Sequence, residues 1–171
     1  MAKFHYKLEN SKDTIEIQIN GVMDTDLRIE NLNLLSIETV VINFDGVTGI
    51  NSLGTKNWVN FLDNNDFPSV SLIYKKCRPG VVDQMNMTHA FMPEHVEVES
   101  FYVDYMCEKC EHEDEVLFDT SKFDVNDIPD QNCSECSATM EIEGLLIRQR
   151  FRRNQLSQNW FSEPDICSTS T

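Results

Sequence analysis

Along the first half of the chain the apolar positions switch between two periods. Ile15, Ile17 and Ile19 alternate with Glu16, Gln18 and Asn20, a period of two that predicts a strand with one buried face, ending at Asn20-Gly21. Leu27, Ile29, Leu32, Leu34 and Leu35 are spaced irregularly, so residues 27–37 carry only a weak signal, compatible with a short helix or a loop. The run TVVINF at 39–44 is almost continuously β-branched or aromatic. It predicts a central strand covered on both faces that stops at Asp45-Gly46. Trp58, Phe61 and Leu62 then fall at i, i+3 and i+4, predicting a helix that Asn51 or Ser52 caps and that ends near Asn64-Asn65. SVSLIY at 69–74 repeats the strand signature. Pro79-Gly80 opens a second helix carrying Val81, Val82, Met85 and His89, and His95–Val103 reads as a last strand. Two strands followed by helix–strand alternation imply an α/β fold, a mostly parallel sheet with helices packed on it.

After Tyr105 the pattern changes. Residues 108–143 contain 12 acids and two lysines, broken by short apolar pieces such as VLF and MEIEGLL. The chain therefore divides into residues 1–104, a small β-rich module over 105–147, and a basic segment with a polar tail over 148–171. A length of 171 residues, 40% of them hydrophobic, accommodates one ordinary core plus such a module. The net charge of -15 repels phosphate backbones from most of the surface. A nucleic-acid role would have to rest on Arg148, Arg150, Arg152 and Arg153, with Phe151 available to stack on a base. Pairing of those arginines with the acidic module beside them, or contact with a partner protein, is the competing reading. The opening residues MAKFHYKLEN contain no apolar core, and no apolar run approaches the roughly 20 residues of a membrane span. A cytoplasmic protein without membrane insertion is expected.

In a reducing compartment the six cysteines read as thiols or metal ligands and not as disulfides. Cys107-x-x-Cys110 and Cys133-x-x-Cys136 are separated by 22 residues. Each pair lets one tight turn aim two thiolates at one ion, and two such turns close a tetrahedron, the geometry of structural zinc. One Zn2+ would also supply stability that so acidic a segment cannot obtain from apolar burial. Four cysteines leave no open position for a catalytic water. Metal knuckles usually carry glycine after the second cysteine, where the backbone turns left-handed. Glu111 and Ser137 stand there instead. Cys77 reads as a small buried hydrophobe, Cys167 as a tail thiol, and His112 as a solvated side chain.

The order of elements over residues 3–103, with the junction VINFDGVTGINSLGTKNWVNFL, resembles the STAS domains of anti-sigma-factor antagonists. In that family a buried strand leads through an Asp-Ser-Ser/Thr-Gly turn into a helix, and a hydroxyl of the turn is phosphorylated. The four positions here are Asn51, Ser52, Leu53 and Gly54. The acid is replaced by its amide, and one of two hydroxyl positions remains. The resemblance implies a bacterial signalling module without catalytic activity. Its phosphorylation candidate is Ser52, and its partner-binding surface comprises Asp24, Asn51, Ser52, Gly54 and Thr55. The implied partner is a kinase-type anti-sigma factor or a larger signalling assembly; a STAS subunit of a transporter complex is the further alternative. From the residues alone, Ser52 is equally a helix cap. No G-x-S-x-G, Walker loop, dinucleotide fingerprint or H-E-x-x-H occurs, and the four histidines are scattered singly, so no enzyme is expected.

Overall fold

The computed structural model describes residues 2–123 and 128–143. Its elements run β1 (His5–Asn10), β2 (Thr14–Met23), β3 (Thr39–Ile50), α1 (Ser52–Asp63), β4 (Ser71–Lys75), α2 (Pro79–Met87), β5 (Val96–Val98), β6 (Ser100–Met106), β7 (Glu113–Asp119), β8 (Gln131–Asn132) and β9 (Thr139–Glu143). Two sheets result. The first has the order β1-β2-β3-β4-β5, antiparallel at β1–β2 and parallel from β2 onward. The second is antiparallel, in the order β7-β6-β9-β8.

In the first sheet Ile15, Ile17 and Ile19 all point into the core. The same face carries Ile42, Phe44 and Tyr74, against which Trp58 of α1 and Phe91 pack edge to face or tilted. The Trp58 indole N–H and the Tyr74 hydroxyl both donate to the Phe91 carbonyl. The two buried rings that carry a polar group thereby keep it satisfied. α1 and α2 are linked by the Thr55 hydroxyl donating to Gln84 at 2.8 Å.

The opposite face differs from the expectation of a strand covered on both sides. Across it Asn43 donates to Glu16, and Lys75 pairs with Glu16 at 2.9 Å. A polar ladder there needs no covering layer. β3 also runs past Asp45-Gly46 to Ile50. Gly46 sits so close to Asn20 that an added Cβ would lie 2.0 Å from its Oδ1. The β2–β3 register slips at this point and the strand then continues. The stretch 27–37 forms no regular element, α2 ends at Met87, and His89 belongs to a separate 3-10 turn, His89–Phe91.

The expected last strand is two strands in different sheets. Glu99 is the pivot: its N–H still donates to Tyr74 of the first sheet, while its carbonyl accepts from Thr120 beyond β7. Cys77 stitches the sheets together. Its N–H donates to the Ser100 carbonyl and its own carbonyl accepts from Tyr102. Buried, it carries a thiol whose pKa desolvation pushes upward, as for an inert core residue. Position 104, the boundary expected from composition, lies inside β6. Phe101, Val103 and Tyr105 on that strand join the same hydrophobic cluster as Ile17 and Phe44.

Candidate metal centre

The second sheet brings two cysteine-bearing turns face to face. β6 delivers the chain to Cys107 and β7 takes it away; β8 delivers it to Cys133 and β9 takes it away. Both turns close with the same hydrogen bonds. The N–H of Glu111 donates to the Cys107 carbonyl at 2.8 Å, and that of Ser137 to the Cys133 carbonyl at 2.9 Å. The N–H of Cys107 donates to the His112 carbonyl and that of Cys133 to the Ala138 carbonyl. Glu111 and Ser137 both adopt φ of 58°. The left-handed bend after the second cysteine is thus present in both turns, accepted by residues with a Cβ where glycine is usual.

The four Sγ atoms lie within 4.8 Å of one another. The closest approaches cross between the turns, Cys107 to Cys136 and Cys110 to Cys133, each at 3.4 Å. A disulfide would need about 2.05 Å. A tetrahedron with metal–sulfur bonds of about 2.3 Å has edges of about 3.8 Å, inside the observed range. The donor set and its spacing therefore fit a four-coordinate, thiophilic divalent ion. Cys107 and Cys133 are buried, Cys136 is half-buried and Cys110 exposed.

Four thiols this close cannot all ionise without a cation. Burial opposes the Cys107 thiolate, but the N–H groups of Cys110 and Lys109 and the Cys136 thiol outweigh it and hold this group down to about 6. Cys110 behaves oppositely. The N–H of His112 favours its thiolate, yet hydrogen bonding with Cys133, burial and the neighbouring thiols push it up to about 12. One thiolate is ready to meet an ion, and others give up protons as it binds. His112 lies outside the sulfur cluster. Its Nε2 stands 3.1 Å from the Ser134 hydroxyl and 3.5 Å from Asp114, linking one turn to the other.

At the end of the first sheet, Asn51 is the cap of α1, its Oδ1 accepting from the N–H of Leu53 at 3.0 Å and of Gly54 at 2.9 Å. Ser52 is not the cap. It is the first helical residue, exposed, and its hydroxyl makes no hydrogen bond among the described residues. Leu53 beside it is half exposed. Asp24 stands at the same end, where the Asn51 N–H reaches Met23 and the Asn57 side chain reaches the Asp24 carbonyl. Gly54 is buried because α1 passes over the end of β2: an added Cβ would lie 1.9 Å from the Met23 carbonyl oxygen. Thr55 is buried too, its hydroxyl shared between Asn51 and Gln84. Of the five residues expected on a docking face, Asn51 and Ser52 are exposed, Asp24 is half-buried, and Gly54 and Thr55 shape the turn from beneath.

Arg148, Arg150, Arg152, Arg153 and Cys167 lie outside the described residues. Sequence reasoning missed a charged joint between the sheets. Asp45 accepts from the Tyr102 hydroxyl at 2.7 Å and pairs with Lys76, while Arg78 donates to the Asp45 carbonyl, stacks on Tyr102 and pairs with Glu115. The Tyr102 hydroxyl holds the Asp45 carboxyl below its usual range; burial opposes this and Lys76 and Arg78 reinforce it. Nothing periodic marks these residues in sequence.

The fold and site together define a mixed α/β protein, one partly parallel sheet and one antiparallel sheet, with a four-cysteine cluster whose spacing is consistent with a metal site. No known family model matches the chain, and no curated protein does. No helix among the described residues is long and apolar enough to cross a membrane.

Proposed function

We propose that this protein is a non-enzymatic bacterial signalling module that docks a partner protein through the face around Ser52, with one structural Zn2+ bound by Cys107, Cys110, Cys133 and Cys136. The observation that carries the reading is the environment of Ser52. Because Asn51 satisfies the first-turn amides, the Ser52 hydroxyl is left free and exposed at the positive end of α1, with half-exposed Leu53 next to it. A phosphate placed there would be favoured by the helix dipole and would add up to two negative charges to the docking face without disturbing the core. A partner that reads Ser52, Leu53 and Asn51 would lose affinity when the phosphate arrives. The donor set supports zinc: four thiolates at tetrahedral spacing suit a closed structural site. Its role is to hold the second sheet and not to react.

Native mass spectrometry of the protein purified from its own host tests both parts. One zinc per chain and an 80 Da adduct mapped to Ser52 are the expected result. Zinc without the adduct, together with unchanged partner capture by Ser52→Glu, would remove the phospho-switch. Absence of metal would remove the zinc assignment.

A further inference from the structure

Among the described residues each sheet ends in one long strand with an unpaired side, β1 in the first sheet and β7 in the second. The opposite edges, β5 and β8, are short. An open edge is a template for a further strand unless charge, proline or a bulge blunts it. The two long edges differ in this respect. β7 carries Glu113, Asp114, Glu115 and Asp119 and no base, and Glu115 already stands beside Asp104, which stands beside Glu143. A second copy laid against β7 would add like charges to a row of acids. On β1 the charges of Lys7 and Glu9 cancel, in a chain of net charge -15. The strand has no proline and no bulge: its pairing with β2 runs unbroken from His5↔Asn20 to Asn10↔Ile15. At its middle Leu8 is 42% exposed, although its cross-strand neighbour Ile17 is fully buried.

The hairpin decides which backbone groups of β1 face outward. The Ser11 N–H donates to the Thr14 carbonyl at 2.8 Å. Hydrogen-bonded pairs alternate along an antiparallel ladder, so Glu9, Lys7 and His5 turn their N–H and C=O groups toward β2. Those of Tyr6, Leu8 and Asn10 point to the open side, and an added antiparallel strand must bond these three. Let that strand be β1 of a second copy, related by a two-fold axis at Leu8. Leu8 then faces Leu8, Tyr6 faces Asn10, and Lys7 faces Glu9 of the other copy, twice over. The Lys7–Glu9 pairs fall at the non-bonded positions, where Cα atoms approach to about 4.5 Å and side chains interact most closely. The neighbouring register, centred on Lys7, would set Lys7 against Lys7.

We propose that the partner of the β1 edge is a second copy of this chain, paired antiparallel about Leu8 so that two five-stranded sheets become one. The Lys7–Glu9 cross-pairs set the register, and the pairing removes the exposure of Leu8. The contact is small, so association is reversible and concentration-dependent. This inference goes beyond the Ser52 reading and does not depend on it.

Sedimentation equilibrium of the full-length, zinc-loaded protein tests it. Wild type should exchange between monomer and dimer within about 10 μM to 0.5 mM. Lys7→Glu and Glu9→Lys should each raise the dissociation constant at least about tenfold, because both symmetry-related pairs become like-charged. The double variant Lys7→Glu plus Glu9→Lys should return to the wild-type value. Mixing the two single variants should give a heterodimer, since each Glu then meets a Lys. Lys7 and Glu9 are both exposed, so these variants keep the fold, which circular dichroism checks. A wild type that stays monomeric at about 0.5 mM would overturn the proposal. So would a dimer indifferent to the charge changes, or single variants that fail to associate when mixed.

Discussion

Replacing Gly54 with alanine asks the turn before α1 to admit one methyl group where the backbone leaves no room. The new Cβ would lie 1.9 Å from the Met23 carbonyl oxygen and 2.3 Å from its carbon, whereas real Cβ contacts stay beyond 3.0 Å. The start of α1 and the end of β2 must therefore part by about 1.1 Å. Both sides of the clash are backbone, so no rotamer relieves it, and Trp58, Phe61 and Leu62 on the same helix are drawn away from the core they fill. Overpacking of this kind costs typically 1–3 kcal/mol, and this site belongs at the upper end, about 3 kcal/mol. At a urea slope of about 2 kcal/mol per molar, the unfolding midpoint should fall by roughly 1.5 M. Circular dichroism in urea at saturating zinc measures it. Gly80→Ala is the internal control: nothing lies within 4 Å of its added Cβ, so that variant should match wild type or gain about 0.5 kcal/mol. A Gly54→Ala midpoint within error of the Gly80→Ala midpoint would refute the close approach that positions Asn51 and Ser52.

At the same turn, Asn51→Ala should cost about 1 kcal/mol and Ser52→Ala less than about 0.5 kcal/mol, since the cap belongs to the asparagine; thermal melts separate the two. Glu111→Gly and Ser137→Gly should each stabilise the metal-loaded protein by roughly 0.5–1 kcal/mol by relieving a left-handed backbone. Slower zinc loss to a competing chelator would register the gain. Cys133→Ser should abolish stoichiometric metal binding and the protection of β8 and β9 amides, read by metal analysis and hydrogen exchange. Asp45 supplies a pH test. Its folded-state carboxyl is held below the unfolded value, so its contribution is complete at neutral pH and fades as pH falls through the lowered value. The stability gap between wild type and Asp45→Asn should narrow from about pH 5 to about pH 2; a gap that widened on acidification would contradict the Tyr102 hydrogen bond.

Periodicity made much of the first sheet legible. β2, β4, α1 and α2 each bury one regularly spaced face, and regular spacing survives in a linear string. β1 escaped because HYKLEN is an edge strand, exposed at five of its six positions, so no alternation betrays it. The continuation of β3 was hidden by DGVTG, residues that spell a turn but here carry a register slip. The break at Glu99 leaves one local trace in the sequence, a change of phase in the apolar alternation from Val96 and Val98 to Phe101, Val103 and Tyr105, and a single slipped residue within a strand-like run does not by itself say that the strand changes sheets. At the metal centre, ligand identity and the two left-handed positions were legible, because thiol spacing and turn closure are local. The cap could not be resolved between Asn51 and Ser52, since adjacent residues of similar chemistry differ only in which one turns toward the helix. Composition gave the number of carboxylates near the metal module; only register aligns Glu143, Asp104 and Glu115.

The pairing of Cys77 with β6 bears on how this chain is made. Synthesis runs from the amino end, and the parallel sheet emerges with the end of β4 unpaired and no Phe101 in its seat. Only when Ser100–Met106 follows can that edge close, and β6 in turn gains β9 as a neighbour a further 33 residues along. The fourth thiol, Cys136, comes three residues before β9 begins. A nascent chain cut short of it has a nearly complete core but only three of the four clustered thiols, and it lacks β9, the strand that pairs with both β6 and β8.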